Sequence, residues 1–511
     1  MSEAVPRPTV NRWLLLVVVM VGTFLSILDT TIMNVGLPHI MTSFGSNVEH
    51  AKWVSTGFMI AAAVSMPLTG WLGRTFGYGT VYLGALALFT LGAVSSALSF
   101  SLDHLIFSRV IQGVGAGIVQ PTSIAILTRT FPPEMRGRAF GIWSIGVMTA
   151  PSLGPTVGGL LIDLFNWRAV FIMSLTVGTA ALVLSSAVLS RERDEEPAPF
   201  DMKGYLALAT FLVSALLTVA HGQEEGWTSR IILLGGAVAV TSIVLFIVIE
   251  WDAEYPIMPL RLFRLPDFSL AMFLTVYRSL GLFGAVFLLP IFLMQVQGRD
   301  PLEVGLLMMP GSIVMAFCSP IAGMLTDRFG GRWPAVGGVV SIALSLYLHQ
   351  SLDELSSTWQ VIYPQLFRGL GIALVMTPVV TTGMNAVARE DTGYASWMLN
   401  LSQRGSGAFA ISILSSLLHR QVIIQKDLLG ASAMASGPTP RWLKYLGITM
   451  GYSSIEVQPA MRAVFGRQLG KAATTLAFQN IFFLASAFTI TALVPAVLIN
   501  RFGGNNRKIV K

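Results

Sequence analysis

The chain has 511 residues, of which 53% are hydrophobic and 12% charged, and its mean hydropathy is +0.68. A soluble domain carries roughly 25% charged residues, so there is too little polar surface here to cover a water-soluble globule, and a bilayer is the solvent that fits. The formal net charge of +7 would suggest nucleic-acid binding in a soluble protein; here it reads as basic loops that orient membrane spans, with no nucleic-acid partner expected.

The apolar stretch that opens at Trp13 is too long for the core of a signal peptide and is followed by more of its kind, so it is read as a first span. Segments of about 20 residues, the length that crosses a bilayer, predict spans at 13–36, 52–72, 80–100, 104–127, 140–162, 169–189, 204–221, 231–250, 269–293, 303–325, 333–350, 359–384, 393–418 and 475–500. With the N-terminus inside, the inner segments hold Arg7, Arg12, Arg74, Arg129, Arg136, Arg138, Arg191, Arg193, Lys203, Arg261, Arg264, Arg328, Arg332, Arg389, Arg501, Arg507, Lys508 and Lys511. The short outer loops hold only Lys52, Arg168, Arg230 and Arg299, an asymmetry that predicts both termini to be cytoplasmic. Two stretches break the pattern. One is charged, Arg191–Lys203; the other is the outer segment His419–Lys471, whose Gly437-Pro438-Thr439-Pro440 reads as a break and whose Trp442, Leu443, Tyr445, Leu446 and Ile448 are too apolar for a disordered tether.

The chain repeats itself. Gly70-Trp-Leu-Gly-Arg74-Thr-Phe-Gly77 recurs as Gly323-Met-Leu-Thr-Asp327-Arg328-Phe-Gly330 at an offset of 253 residues. Gln112-Gly113-Val-Gly115 recurs as Arg368-Gly369-Leu-Gly371 at an offset of 256. Two pairs at nearly one offset, eight spans apart, predict two halves in parallel orientation. Six spans at ~30 residues each need only about 180 residues, so the excess predicts two spans inserted between the halves. The expected layout is an N-terminal six-helix half over 1–190, a linker with two inserted spans over 191–265, and a C-terminal six-helix half over 266–511 that includes the outer loop 419–471.

Four sets of residues carry candidate chemistry. Asp29 is an in-span carboxylate, costly in lipid and a functional candidate for that reason. It sits roughly 23 Å from the inner end of a span running outward, and Arg109 roughly 7 Å from the outer end of a span running inward, so in a ~30 Å core the two share a depth and can pair. The other in-span arginines, Arg278, Arg368 and Arg404, are expected to face the interior. Asn34, Gln112, Arg278, Gln295, Asn400 and Arg404 are candidate walls of a substrate cavity. The loops with Gly70, Arg74 and Gly77, and with Gly323, Asp327 and Arg328, place close-packing glycines beside charges at the inner face, which suits a gate. In the fifth span Gly154 and Gly158 form a small-xxx-small face, and Pro151 and Pro155 remove backbone bonds and are expected to kink the helix on that face. His39, His50, His104, His221, His349 and His419 all fall at outer ends or loops and are expected to be solvated.

Some chemistries are excluded. One cysteine, Cys318, makes no internal disulfide, and no cluster has metal-ligand spacing. Gly466-Arg-Gln-Leu-Gly470-Lys471-Ala472 is one residue too short for a phosphate loop and follows no strand. No paired carboxylates or nucleophile–base set suggests an enzyme. A transporter so built would use an ion gradient.

The motif Leu28-Asp29-Thr30-Thr31-Ile32-Met33-Asn34-Val35-Gly36-Leu37-Pro38, the run Arg109-Val-Ile-Gln112-Gly113, and Ala150-Pro151-Ser-Leu-Gly154-Pro155-Thr-Val-Gly158-Gly159 together resemble the major facilitator superfamily. Within it they resemble the fourteen-span drug:proton antiporters of the EmrB/QacA type. The resemblance implies an all-α membrane protein of the major facilitator fold, with no cofactor other than the proton gradient. The implied function is export of amphipathic, toxic compounds from a bacterial cytoplasm by alternating access, with Asp29 and Arg109 handling the proton. It also suggests a periplasmic adaptor and an outer-membrane channel as partners, with Trp442 and its neighbours docking the adaptor. A dedicated exporter of one metabolite, lipid or siderophore, and a non-transporting receptor or scaffold, remain open alternatives. This chain departs from the family pattern at Gly73, where an Asp is usual, so Gly73→Asp is expected to be harmless or mildly beneficial.

Overall fold

The computed structural model describes residues 11–190, 199–222, 225–435 and 457–499, with the side chains of Asn34, 280, 285, 432–435 and 457–465 outside the description. Among the described residues every regular element is helical. The helices are α1 (Arg12–Phe44), α2 (Val48–Ala51), α3 (Trp53–Ser65), α4 (Leu68–Phe76), α5 (Tyr78–Ala97), α6 (Leu102–Thr130), α7 (Arg136–Leu164), α8 (Arg168–Val188) and α9 (Met202–His221). They continue as α10 (Arg230–Asp252), α11 (Pro266–Gln295), α12 (Pro301–Phe329), α13 (Arg332–His349), α14 (Thr358–Asn385), α15 (Thr392–Ala435), α16 (Val457–Thr491) and α17 (Leu493–Leu498).

Local chemistry sets the ends. Asn11, Ser101, Asp201 and Ser229 accept backbone N–H bonds at the starts of α1, α6, α9 and α10, and Ser357 with Gln360 closes a capping box on α14. Gly77 and Gly330 end α4 and α12 at φ 83° and 77°, a region that favours glycine. Both belong to the repeated loop, so the repeat supplies the same sharp stop twice.

Each of the fourteen expected spans coincides with a helix, the second being α3 and α4 bent by 56° at Pro67, and the last continuing from α16 into α17. Among the described residues twelve helices are long and apolar enough to cross a membrane, thirteen if the bent pair is one span. The remaining one, α13, opens on Arg332 and ends on His349, which lowers its hydropathy; it is nevertheless packed among α12, α14 and α16.

Packing forms two groups. α1, α3, α5, α6, α7 and α8 pack on one another, as do α11–α16. The groups meet where α7 lies along α12 and α14, and where α15 lies along α4 and α6. α9 and α10 form a pair, and α9 touches α3 of one group and α15 of the other. α10 is the least buried apolar helix and α6 the most. Near the expected outer loop the chain remains helical: α15 continues to Ala435 and α16 starts at Val457. At 1.5 Å per residue α15 spans about 66 Å, twice a hydrocarbon core. The segment 436–456, with Trp442, Leu443, Tyr445, Leu446 and Ile448, lies outside the described residues, as do Arg191 and Arg193.

Candidate functional site

Asp29 is fully buried, and so is Arg109. α1 and α6 cross so that the Arg109 guanidinium donates to Asp29 Oδ2. Gln112 Nε2 donates to Asp29 Oδ1 at 3.1 Å, and Ser174 Oγ of α8 donates to the same oxygen at 3.0 Å. Arg109 also donates to Gln112 Oε1 at 2.7 Å and stands 4.2 Å from the Phe58 ring centroid. The carboxylate therefore has three donors from two helices, and the cation has an aromatic face. A buried charge of each sign is tolerated only when so paired and hydrogen-bonded. A proton arriving at Asp29 would cancel its charge and loosen α6 and α8 from α1 at one point. Gln112, expected in the substrate wall, belongs to this cluster.

The second half repeats the geometry without the acid. Gln365 and Arg368 occupy on α14 the places of Arg109 and Gln112, with the two residue types exchanged. The Arg368 guanidinium donates to Gln365 Oε1, whose amide nitrogen lies 3.0 Å from His349 Nε2. His349 Nδ1 lies 2.6 Å from the Ser345 carbonyl and the ring is fully buried beside Phe482. The expectation of a solvated His349 is thus wrong: it closes α13, but α14 and α16 cover it.

Nearer the middle of the bundle Arg278 Nη2 donates to Gln403 Oε1 at 2.8 Å, and Arg404 Nη2 of α15 donates to Gln120 Oε1 of α6 at 2.9 Å. The Arg404–Gln120 bond joins the two helix groups. Asn400 is buried one turn away and donates to its own helix at Ser396 O. Gln295 is the exposed last residue of α11 and stands apart from these. The Asn34 side chain lies outside the described residues.

The repeated loops sit where the groups touch. Asp327 accepts from the backbone N–H of Gly137 at 2.7 Å and of Arg138 at 2.9 Å, capping the first turn of α7, and Arg138 Nε is 3.9 Å away. A side chain on Gly323 would run into the Gly137 backbone, so glycine permits this approach. Arg328 is exposed and lies over the Phe329 ring. In the first copy a side chain at Gly70 would meet the Tyr394 ring of α15. Arg74 is half-buried, and Gly77 makes the turn. At Gly73 a Cβ would overlap the Tyr78 ring, itself 4.4 Å from the Arg129 guanidinium carbon. Arg129 in turn donates to Thr392 Oγ1 at 3.0 Å and to Arg389 O at 2.8 Å, at the start of α15. At the offset of 253 the place of Asp327 falls on Arg74, so the first copy carries a cation where the second has its acid, and Gly73, the counterpart of Thr326, makes room for the Tyr78 ring. The expectation that Gly73→Asp is harmless is therefore corrected: the ring leaves no room.

On α7, Gly154 and Gly158 are buried against Thr31 and Ile32 of α1, one turn beyond Asp29. Pro151 and Pro155 are exposed, so they do not share the glycine contact. α7 is one continuous helix through both.

The chain matches the model of the Major Facilitator Superfamily over residues 19–411. It belongs to this superfamily. As a member it is a multi-pass membrane transporter rather than an enzyme. It is 30% identical to the multidrug export protein EmrB of Escherichia coli (strain K12) over 424 residues, covering 82% of each chain. It is 28% identical to the uncharacterized MFS-type transporter YhcA of Bacillus subtilis (strain 168), over 96% of this chain and 93% of that one. The crystal structure of the human organic anion transporter MFSD10 shares the fold at a TM-score of 0.62 and 13% identity, covering 96% of this chain and 100% of that one.

Sequence reasoning missed Ser174, Gln120, Gln403 and Tyr78. The first three are polar residues inside apolar spans, the signal that marked Asp29. Nothing in the sequence pairs Tyr78 with Gly73.

Proposed function

We propose that this transporter exports amphipathic and hydrophobic toxic compounds across a bacterial inner membrane in exchange for protons, by alternating access. Both termini are cytoplasmic in this reading, and fourteen spans form two six-helix halves, 1–190 and 266–511, around two inserted spans. The observation that carries it is Asp29, fully buried and held by Arg109, Gln112 and Ser174 beside the glycine face of α7. A carboxylate in that setting holds a proton or a pair of helices, not both, and so can link proton entry to a change of packing. The names of relatives such as EmrB support multidrug export as the direction.

The cycle runs as follows. With Asp29 ionised, α1, α6 and α8 are pinned together. A proton entering from outside neutralises Asp29, Arg109 releases it while keeping its bonds to Gln112 Oε1 and the Val54 carbonyl, and α7 moves with α1 through Gly154 and Gly158. Release of the Asp327 cap and of the Arg129–Thr392 link then opens the inner end. Asp327 and its loop, with Gly70, Arg74, Gly77, Gly323 and Arg328, act as the gate, and Pro151 and Pro155 shape the antiporter helix. α15 and α16 project on the outer side, with Ile423, Ile424 and Leu428 exposed, and this projection supports docking of a periplasmic adaptor that hands substrate to an outer-membrane channel.

The test is transport by the purified protein in proteoliposomes under an imposed pH gradient, over a panel of amphipathic compounds. Several structurally unrelated compounds should move only with the gradient, and not at all in Asp29→Asn. Gradient-driven transport by Asp29→Asn at the wild-type rate contradicts the proposal.

A further inference from the structure

Charge inside the spans is unbalanced. Among the described residues, the carboxylates that are buried away from helix ends reduce to Asp29, and Arg109 already neutralises it. Arg278 and Arg368 are also buried and Arg404 half-buried, and none of the three has a carboxylate partner. Arg368 is enclosed within its own half by Gln365 and Gly311. Arg278 and Arg404 are different. They donate to the neutral amide oxygens of Gln403 and Gln120, and the Arg278 Nε is buried with no hydrogen-bond partner.

These two guanidiniums share a depth. Arg278 lies twelve residues into α11 and Arg404 twelve into α15, roughly 18 Å from the starts of those helices. Both starts lie at one end of the bundle, where Arg261, just before α11, pairs with Asp391, just before α15, at 2.8 Å. Gln120 lies ten residues before the end of α6, roughly 15 Å from that same end. Gln403 and Arg404 are consecutive on α15, which receives Arg278 from α11 at one residue and reaches Gln120 of α6 with the next. Asp29, seventeen residues into α1, is roughly 26 Å along and thus about 8 Å further out. Both guanidiniums are separate from the acid and at mid-depth, and Arg404 lies on the seam between the two helix groups, the place where substrates bind in transporters built from repeats.

A desolvated guanidinium is costly, and neutral amides repay only part of that cost. Its matched partner is an oxyanion that offers two oxygens to two parallel N–H donors. We propose that Arg278 and Arg404 form the headgroup site for the exported compounds, and that these compounds are amphiphiles bearing an oxyanion such as a carboxylate or sulfonate. The oxyanion displaces the Gln403 and Gln120 amides. Because Gln120 belongs to α6 and Arg404 to α15, binding also exchanges a bond between the two groups for one to substrate. This inference rests on the export reading, and it narrows the substrate class within it.

The test uses equilibrium binding to the full chain in lipid nanodiscs, with no gradient. The probes are 2-naphthoate and (2-naphthylmethyl)trimethylammonium, which share a ring system and differ in the sign of charge. Naphthoate is expected to bind saturably and more tightly than the ammonium. Arg278→Gln and Arg404→Gln should each weaken naphthoate by about tenfold, the loss of one charge-assisted contact, while Arg278→Lys and Arg404→Lys, which keep the charge but not the paired N–H donors, should weaken it less. Naphthoate binding is read in wild type without a gradient, so failure of proton coupling, which removes only gradient-driven transport, and failure of this site are distinguishable. The proposal is overturned if the ammonium binds the wild type as tightly as naphthoate, if neither probe saturates, or if folded glutamine variants bind naphthoate unchanged. Should the glutamine variants not fold, the wild-type preference between the probes decides alone.

Discussion

The Asp29–Arg109 pair makes stability and function pull on the same residues. Removing one member of a buried ion pair strands the other charge in a low dielectric, at a cost of about 3–5 kcal/mol, whereas removing both charges costs far less. Arg109→Gln should therefore lower the thermal transition in detergent strongly, and the double variant Asp29→Asn with Arg109→Gln should regain most of the loss. A double variant no more stable than Arg109→Gln would show that the pair does not dominate the energetics of this site. Asp29 and Arg109 were legible in the sequence because a charge inside an apolar run is rare and helical rise gives its depth. Ser174 and His349 were not. Their surroundings depend on which helices become neighbours, and that information is spread over residues more than a hundred positions apart.

At the scale of elements, the two copies of the repeated loop differ. One uses the Asp327 carboxylate on the α7 N-terminus, and a charged cap of this kind contributes about 1 kcal/mol. The other uses the Tyr78 ring under Arg129. Asp327→Asn keeps one acceptor and loses the charge, so turnover in proteoliposomes should fall several-fold with little change in folding; unchanged turnover would leave Asp327 as a helix cap without a part in gating. Gly73→Asp should lower thermal stability and expression, because the Tyr78 ring has to move, and pairing it with Tyr78→Ala should restore much of both. Equal stability of Gly73→Asp and wild type would contradict the close packing seen here. The repeat itself was legible, as were the helix stops at Gly77 and Gly330. The packing of Tyr78 against Gly73 was not, since the two side-chain positions meet only through the turn at Gly77.

For the whole molecule, composition and apolar run length sufficed to locate a helix for each expected span among the described residues, because each span must satisfy its backbone internally and be apolar over a fixed length. The count is harder. α13 has polar ends, Arg332 and His349, so hydropathy alone does not register it as a span although Trp333, Val340, Leu344 and Tyr347 form an exposed apolar face. Reporter fusions after Leu189, at Gly222 and after Trp251 should read cytoplasmic, outside and cytoplasmic; a cytoplasmic reading at all three would mean that α9 and α10 do not cross. Replacing 431–450 by a Gly/Ser linker should abolish adaptor co-purification and whole-cell resistance while leaving proteoliposome transport intact, and loss of transport as well would place this segment in the substrate path. The claim on which the others depend is that Asp29 exchanges its proton for packing as substrate binds. It is tested most directly by proton counting: substrate is added to the purified protein in weakly buffered detergent solution and released protons are followed with an indicator dye. Wild type should release protons in proportion to bound substrate and Asp29→Asn should bind substrate and release none; equal release from both would contradict the account.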